Sequence, residues 1–560
     1  MPTQLVRQQQ HGSSILASRF GMKIGVDLDN TLINFNRAFL VGAKELGLLP
    51  FDWQGNKMQI RDFLRSKTGG EIQWQNLQGQ VYGRLIAHAH LFAGVYRFLF
   101  RCHQRGIIVD IVSHKTEYGH NDESKVPIRA AAIDFLANNG VTAGDNALLR
   151  KIYFESSREE KLQRIVINQY DWFIDDLEEI LNDESLPNNL SRILFDESGL
   201  ARMNTFETCH SWVEIEDRLL GTWTEPELRA LAENVGGTPV ASVNWVTRGG
   251  NAGLLEVMTE ADEKYALKLY PVTVGHDRLR SEYNSFSEIL KYNAGTIPLP
   301  FRCDRYLNAA MYTWIDGKVI DNPNSGHIRQ ALSFLEALHG IRLVPGFKSF
   351  QNASAALLSG LGFEEQLKKR VNFFVQFASE YSDLQNYLSD DFLPVMEDVI
   401  DWTRTKWKIQ PAYNEILPRS QQTLSPSDFG FHNAIESQSG KLVFIDFEYF
   451  GWDDPVKLIL DFLFHPAMEL DSALKQQWIE GMLKIYGQGI QDRLRLAWPL
   501  IGLSWSLILL NEFRSEVWLR RCSANPDKFE HHKSILAAQL KRSNNMLMMI
   551  NKHYKNPQLN

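Results

Sequence analysis

The sequence predicts two successive mixed units, a parallel α/β unit followed by an α+β unit. Three observations carry this. Short apolar runs alternate with helical patterns up to about Leu220, as in a parallel sheet with crossover helices. Three strand-like runs separated by turns follow from Ala241 to Tyr270, as in an antiparallel sheet. From about Gln330 onward the pattern is mostly helical, interrupted by a strand-and-loop region at Thr423–Asp446.

The Gln- and Ser-rich residues 1–21 read as a flexible tail without the apolar core of a secretory signal. The first unit is set at 22–220. Its strands are expected at Lys23–Val26, Ile107–Val112, Ile152–Phe154 and Trp172–Ile174, with helices at Ile128–Asn139 and Arg158–Asn168. Gly221-Thr-Trp-Thr-Glu-Pro226 breaks the pattern and starts the second unit, 221–560. Strands are expected there at Ala241–Thr247, Leu254–Thr259 and Tyr265–Tyr270, then a helix at Leu279–Leu290. Leu496–Leu510 is the most apolar stretch. It is short for a membrane span and reads as a buried core helix.

The 560 residues carry a net charge of −8, with no basic cluster to suggest nucleic acid or an anionic membrane surface. The four cysteines are far apart and form no CxxC pair, which suits a reducing, cytoplasmic setting. The many Trp and Phe residues read as core, and His88, His90 and His339 have no ligand partner by spacing.

Asp27 and Asp29 follow the first strand directly, in Ile-Gly-Val-Asp-Leu-Asp-Asn-Thr. In an open α/β sheet, ligands bind beyond the carboxyl ends of the strands. Ser113 ends the second apolar run, Lys161 lies on a later helix, and Asp175-Asp176 follow Phe173-Ile174. Carboxylates on neighbouring strand ends repel one another and favour a bound cation such as Mg²⁺. Asp27 suits nucleophilic attack on phosphorus, and Asp29 suits general acid–base work. Ser113 and Lys161 suit the phosphoryl oxygens, and Asp175 with Asp176 would complete a metal site with Asp27 and Asp29. A single Asp-x-Asp also caps helices, so the ordered set matters more than any one member. His114 and Lys115 read as a solvated loop.

These four motifs in order resemble the haloacid dehalogenase-like (HAD) phosphohydrolases over roughly the first 200 residues. The resemblance implies a Rossmann-like core, Mg²⁺-dependent phosphoryl transfer to water, and a helical cap at about 34–105. Asp29 then favours a phosphatase over a dehalogenase.

In the second unit, Gly249-Gly250-Asn251 lies between strand patterns, where backbone amides can face phosphates. Lys268 sits in an apolar strand, and Glu282 on the next helix is its candidate partner, a pair that orients ATP phosphates. Asp428-Phe-Gly-Phe-His-Asn433 has the Asp-x-x-x-x-Asn spacing of a kinase catalytic loop. Asp428 would take the proton of an attacking hydroxyl. Asn433 and Asp446, the latter after Leu442–Ile445, would hold Mg²⁺. This set resembles the aminoglycoside phosphotransferase and choline kinase-like family from about Ala241 onward, which implies a bilobal protein-kinase-like fold. Met311–Gly317 resembles its adenine hinge, so Met311 is assigned to the nucleotide. Where the family has His-Gly before its catalytic Asp, this chain has Pro426-Ser427.

The two resemblances together imply a bifunctional Mg²⁺- and ATP-dependent enzyme acting on small molecules. A sugar or sugar phosphate comes first as substrate, and choline- or aminoglycoside-like cations second. The alternative is a phosphatase carrying a catalytically silent, nucleotide-binding kinase-like module. A protein kinase fits less well, since no Ala-Pro-Glu-terminated activation loop is legible.

Overall fold

The computed structural model describes residues 21–119, 125–144, 147–199, 206–247, 252–272, 275–293, 295–518 and 531–557. The expected tail, and Gly249, Gly250 and Asn251, lie outside the described residues except for Gly21. The chain divides into two compact units, Met1–Asn234 with Asp304–Asn308, and Val235–Cys303 with Ala309–Asn560.

The first unit is built on a six-stranded parallel sheet. Its strands are β1 (Lys23–Val26), β2 (Ile108–His114), β3 (Lys151–Glu155), β4 (Trp172–Asp175), β5 (Ser191–Phe195) and β6 (Glu207–Cys209). They lie in the order β3-β2-β1-β4-β5-β6. β5 and β6 are additions to the strands expected from sequence. The order reverses between β1 and β4, which opens a crevice at their carboxyl ends. Near-continuous burial of Ile24, Val26, Ile111, Phe173 and Ile174 explains why these strands read as short apolar runs.

Three helices, Asn36–Glu45, Lys57–Arg65 and Gly70–Tyr82, are inserted after β1. A short antiparallel pair, Ile33–Asn34 with His90–Leu91, closes the base of this insertion. Asn56 and Gln59 form a reciprocal capping box that starts the middle helix. The helix Val95–Gln104, inside the expected cap range, instead packs against β2 and the helix Trp212–Leu219.

That packing carries a buried ionic network. Arg101, fully buried, meets Glu216 at 2.9 Å and Glu227 at 3.0 Å. Arg97 reaches Glu216 at 2.8 Å, and Arg105 reaches Glu227 at 2.7 Å. Gly221 takes the left-handed conformation that ends the preceding helix, as its sequence context suggests. The chain does not leave the unit there, because Glu227 on the next helix, Glu225–Gly236, is held by Arg101 and Arg105. The unit therefore runs to Asn234, beyond the boundary read at Leu220.

The second unit opens with a five-stranded sheet of β7 (Val240–Thr247), β8 (Gly253–Thr259), β9 (Lys264–Leu269), β10 (Pro300–Asp304) and β11 (Ala309–Thr313). The order is β10-β11-β9-β8-β7, with β7, β8, β9 and β11 paired antiparallel. Helix Arg278–Lys291, capped by the Asp277 side chain, follows β9. The remainder is helical around a hairpin of Ala434–Ser437 with Leu442–Phe444.

The stretch Gln488–Phe513 is long and apolar enough to cross a membrane, but its window is 83% buried within the fold. Its helix, Gln491–Ile508, packs against the helices Gly360–Val375, Pro455–Phe464 and His532–His553. It is a core helix of this unit, as its sequence suggests.

Replacing Glu216 by Ala strands Arg97 and leaves Arg101 with Glu227 as its one carboxylate partner, beside the Gly221 carbonyl. The expected cost is about 3–5 kcal/mol, read by urea unfolding. A loss below about 1 kcal/mol would contradict the network's role.

Candidate active sites

In the first unit, Asp27, Lys161 and the adjacent pair Asp175-Asp176 converge at the crevice between β1 and β4. Lys161 Nζ donates to Asp27 Oδ1 at 2.7 Å and to Asp175 Oδ2 at 2.6 Å. Lys161 is placed by the first turn of helix Arg158–Asn168, whose start is capped by the Ser157 side chain. Asp27 follows β1, and its backbone N–H donates to the Ile174 carbonyl on β4, which locks the two strand ends together. Ser113 is buried near the end of β2, at the same edge of the sheet.

Carboxylate oxygens of Asp27, Asp175 and Asp176 lie within 4.8 Å of one another. This hard, all-oxygen donor set fits a cation such as Mg²⁺. Burial, opposed by Lys161 and reinforced by Asp175 and Asp29, lifts Asp27 to about 7. Burial also holds Asp176 well above the usual carboxylate range. The Lys161 ammonium is opposed by burial but held above its ordinary value by Asp175 and Asp27.

Asp29 departs from the expected ligand set. Its Oδ2 accepts from Lys115 Nζ at 2.6 Å, and its carboxylate is not part of the three-acid cluster. Its Oδ1 is buried without a hydrogen-bond partner. Lys115 is itself 3% exposed, so it is a buried partner of Asp29 and not a residue of a solvated loop. Its place two residues beyond Ser113 was the only signal in sequence.

A cavity of about 550 Å³ opens beside Asp176, between the core and the inserted helices. Asn30, Asn34, Asn36, Asn56 and Lys57 are among its lining residues. Lys57 Nζ donates to Asn30 Oδ1 at 3.1 Å and to Tyr82 OH at 3.2 Å. Asn30 holds a left-handed backbone, φ 61°, a conformation Asn tolerates better than most residues. The wall combines amide groups with three cations, Lys57, Arg61 and Arg65, and three carboxylates, Asp176, Asp196 and Glu197, and suits a polar ligand.

In the second unit, Lys268 Nζ on β9 donates to Glu282 Oε2 at 2.7 Å and to Asp446 Oδ1 at 2.6 Å. Glu282 is fixed from several sides. Tyr270 OH donates to its Oε2 at 2.6 Å, and the Phe447 amide donates to its Oε1 at 3.1 Å. Burial opposes the Lys268 charge, but Glu282, Asp446 and Glu448 hold its ammonium above the ordinary value. Burial lifts Glu448 to about 8, against the pull of Lys268.

The hairpin brings Asn433 and Asp446 together, as their spacing predicts. The Ile445 amide donates to the Asn433 carbonyl at 2.9 Å. Asn433 Nδ2 donates to the Asp428 carbonyl at 2.9 Å, leaving its amide oxygen as the atom able to hold a cation. Asn433, Asp446, Lys268 and Glu282 line one cavity of about 510 Å³. Tyr312, Thr313, Trp314 and Ile315 also line it. Met311 does not: it is fully buried in β11, so the assignment moves to the residues that follow it.

Asp428 faces a second cavity, of about 230 Å³. Ser427 before it holds a left-handed backbone, φ 71°, the conformation a glycine would supply at this place. Two histidines attend Asp428, neither singled out by sequence. His432 Nε2 lies 3.1 Å from Asp428 Oδ1, and His465 Nε2 lies 3.9 Å from it. The two imidazoles stack with centroids 3.9 Å apart. Burial works against the Asp428 carboxylate, but the hydrogen bond and charge of His432 hold it below the usual range. Burial pushes His465 down to about 4.

No protein-family model and no curated protein matches the chain. Among solved structures, the chain is similar to a spectinomycin phosphotransferase in complex with ADP and spectinomycin, at 15% identity and a TM-score of 0.39. That match covers 60% of this chain and 99% of the other. It is also similar to an amicoumacin kinase in complex with AMP-PNP and Ca²⁺, at 15% identity, TM-score 0.40, covering 62% and 96%. A Plasmodium vivax ethanolamine kinase matches at 16% identity, TM-score 0.35, covering 53% and 81%.

Lys161→Met leaves three crowded carboxylates without their ammonium. Lys161 pulls Asp27 down, so removing it lifts the Asp27 carboxyl above its wild-type value of about 7, and the variant goes on losing stability with rising pH after the wild type has ionised. A carboxyl raised in the folded state costs no stability below its unfolded value, and the cost is fully present above its folded value. The Tm deficit of Lys161→Met is therefore expected to be larger at pH 8 than at pH 6. Equal deficits at both would contradict the assigned electrostatics.

Proposed function

We propose that the chain is a bifunctional phosphoryl-transfer enzyme with an independent active site in each unit. The first unit acts as a HAD-type phosphomonoester hydrolase with a Rossmann-like core. The second acts as a kinase of the aminoglycoside phosphotransferase and choline kinase type, using ATP to phosphorylate a hydroxyl on a small metabolite. The observation that carries the reading is common to both. Each unit places a lysine shielded from solvent between carboxylates brought together by folding, and Asp176 in the first set and Lys268 in the second line a cavity.

In the first unit, Asp27 is oriented by Lys161 for attack on phosphorus, which would yield an aspartyl-phosphate. Lys161 balances charge on the phosphoryl oxygens. Asp29, held on one oxygen by Lys115, keeps its other oxygen for proton transfer to the leaving group and then from water. Mg²⁺ at Asp27, Asp175 and Asp176 would neutralise the incoming phosphate charge. The inserted helices supply Asn36, Lys57, Arg61 and Arg65 facing the core's Asp176, Asp196 and Glu197, so a phosphorylated polyol would set its phosphate toward the inserted helices.

In the second unit, Lys268, oriented by Glu282, is available to the phosphates of ATP. Tyr312–Ile315 border the same cavity, where a purine would lie. Asn433 and Asp446 would hold Mg²⁺, which would offset the negative charge of the ATP phosphates. Asp428 accepts the proton of the acceptor hydroxyl, and His432 steadies its charge. Ser427, where the resemblance expects Gly, takes the left-handed backbone a glycine would adopt, which supports an active unit over a silent one.

A phosphatase and a kinase acting on one position would only hydrolyse ATP. Acting on different positions of one polyol, they would move its phosphorylation from one hydroxyl to another.

The full chain, Asp27→Asn and Asp428→Asn are incubated with Mg²⁺, labelled ATP, and a panel of sugars, sugar phosphates and amino alcohols. Asp27→Asn is expected to lose phosphate release by a factor of about 10²–10⁴ and keep label transfer, and Asp428→Asn the reverse. If no label moves in any sample, the second unit is a nucleotide-binding module and the kinase reading fails.

A further inference from the structure

We propose that the cavity beside Asp428 takes an acceptor that is itself an anion, a polyol bearing a phosphate or carboxylate seated against Arg370. This rests on the kinase reading of the second unit and names the substrate class of that site.

Four charged residues line this cavity, Asp428, Lys457, Asp461 and Arg370, and among the described residues only the guanidinium is without an ion pair. Lys457 Nζ is bonded to Asp461 Oδ2 at 2.6 Å, with Asp453 at 3.4 Å. The other oxygen of Asp461 accepts from Trp505 Nε1 at 2.8 Å. Lys457 and Asp461 are thus satisfied by each other and by their neighbours. Arg370, on helix Gly360–Val375, also lines the cavity, and it has no ion pair among the described residues. Its Nε is buried with no hydrogen-bond partner. Asp461 is the carboxylate whose charge reaches it, and Asp461 is already engaged. Arg514, the other cation acting on it, is paired with Glu516 at 2.5 Å.

A guanidinium does not shed its charge when buried. Leaving it half-buried and unpaired costs free energy that a bound oxyanion would recover. The planar fork of Arg matches carboxylate and phosphate with two parallel hydrogen bonds. The rest of the wall suits a polyol: Ser354, Gln366 and Ser504 offer hydrogen bonds, and Trp505 offers a flat apolar face. Its volume, about 230 Å³, is below the range of drug-sized pockets, about 300–1,000 Å³. A single small acceptor fits this better than a multi-ring cation. The cavity's carboxylates are engaged, Asp461 by Lys457 and Asp428 by His432, so a choline- or aminoglycoside-like acceptor seated at Arg370 would meet an unpaired like charge, and the second substrate class read from sequence is the disfavoured one.

In the transfer step, the acceptor oxygen forms a bond to the γ-phosphorus as the bond from that phosphorus to the β–γ bridging oxygen breaks. The electron pair leaves with ADP, and the acceptor hydroxyl proton passes to Asp428.

The test uses the full chain with Mg²⁺ and labelled ATP. The acceptors are hexose phosphates, hexuronates, neutral hexoses, amino sugars and choline. Wild type is compared with Arg370→Gln and Arg370→Lys, with thermal melting as the folding control. Anionic acceptors are expected to show the highest kcat/KM, and the two anion classes separate a phosphate from a carboxylate ligand. Arg370→Gln is expected to raise the KM of the preferred anion about tenfold to a hundredfold while the KM for ATP holds. Arg370→Lys, which keeps the charge and loses the fork, is expected to fall between. Label transfer that favours choline, an amino sugar or a neutral sugar overturns this inference alone and leaves the kinase reading intact. So does an anion KM unchanged in Arg370→Gln. No label transfer to any acceptor overturns the kinase reading and this inference with it.

Discussion

Both candidate sites depend on one interaction, an ammonium held between carboxylates that the sequence keeps apart, fully buried at Lys161 and partly buried at Lys268. Lys161 joins Asp27 to Asp175, and Lys268 joins Glu282 to Asp446. Desolvating a lysine is costly, and desolvating several carboxylates together is more so. Each group is tolerable only because the other is present. The pairing therefore fixes strand ends and loops relative to one another, and it leaves excess negative charge that a cation and a phosphoryl group can share. In the first unit, the excess shows in Asp27, lifted to about 7 by burial and by its acidic neighbours.

The backbone prepares these contacts in different ways. In the first unit, the sheet order reverses between β1 and β4, so the carboxylates that follow those strands meet at one crevice. In the second, a tight hairpin sets Asn433 beside Asp446, while Ser427 and Asp446 hold left-handed conformations that turn the chain around the cavity. Left-handed non-glycine residues are uncommon, and their presence in both loops fits the tendency of strained backbone to gather at functional sites.

Much of this was legible in the sequence, because the chemistry sits beside regular elements. The strands before Asp27 and Asp175, and the helices carrying Lys161 and Glu282, announce themselves by apolar runs and by helical periodicity. The catalytic-loop spacing of Asp428 and Asn433 is local, so it survives as a pattern. What was not legible is tertiary. Lys115 reads as a loop residue until Asp29 is seen beside it. His432 and His465 are separated by a helix, yet stack at Asp428. Arg370 belongs to an ordinary amphipathic helix, and only the fold shows that it lines a cavity without an ion pair among the described residues. Met311 was misassigned because side chains alternate along a strand, so a run that borders a cavity also contributes residues to the core. β5 and β6 were missed because the first is only partly apolar in sequence and the second is only three residues long.

The central claim is that two separate acidic clusters each hold a divalent ion, one without nucleotide and one with it. Counting bound Mn²⁺ by electron paramagnetic resonance, with and without a non-hydrolysable ATP analogue, tests this directly. Without nucleotide, the wild-type chain should bind an ion that Asp175→Asn loses and Asp446→Asn keeps. Nucleotide should add further binding that Asp446→Asn loses and Asp175→Asn keeps. Ion binding indifferent to both substitutions, or both lost together in either variant, would contradict the account.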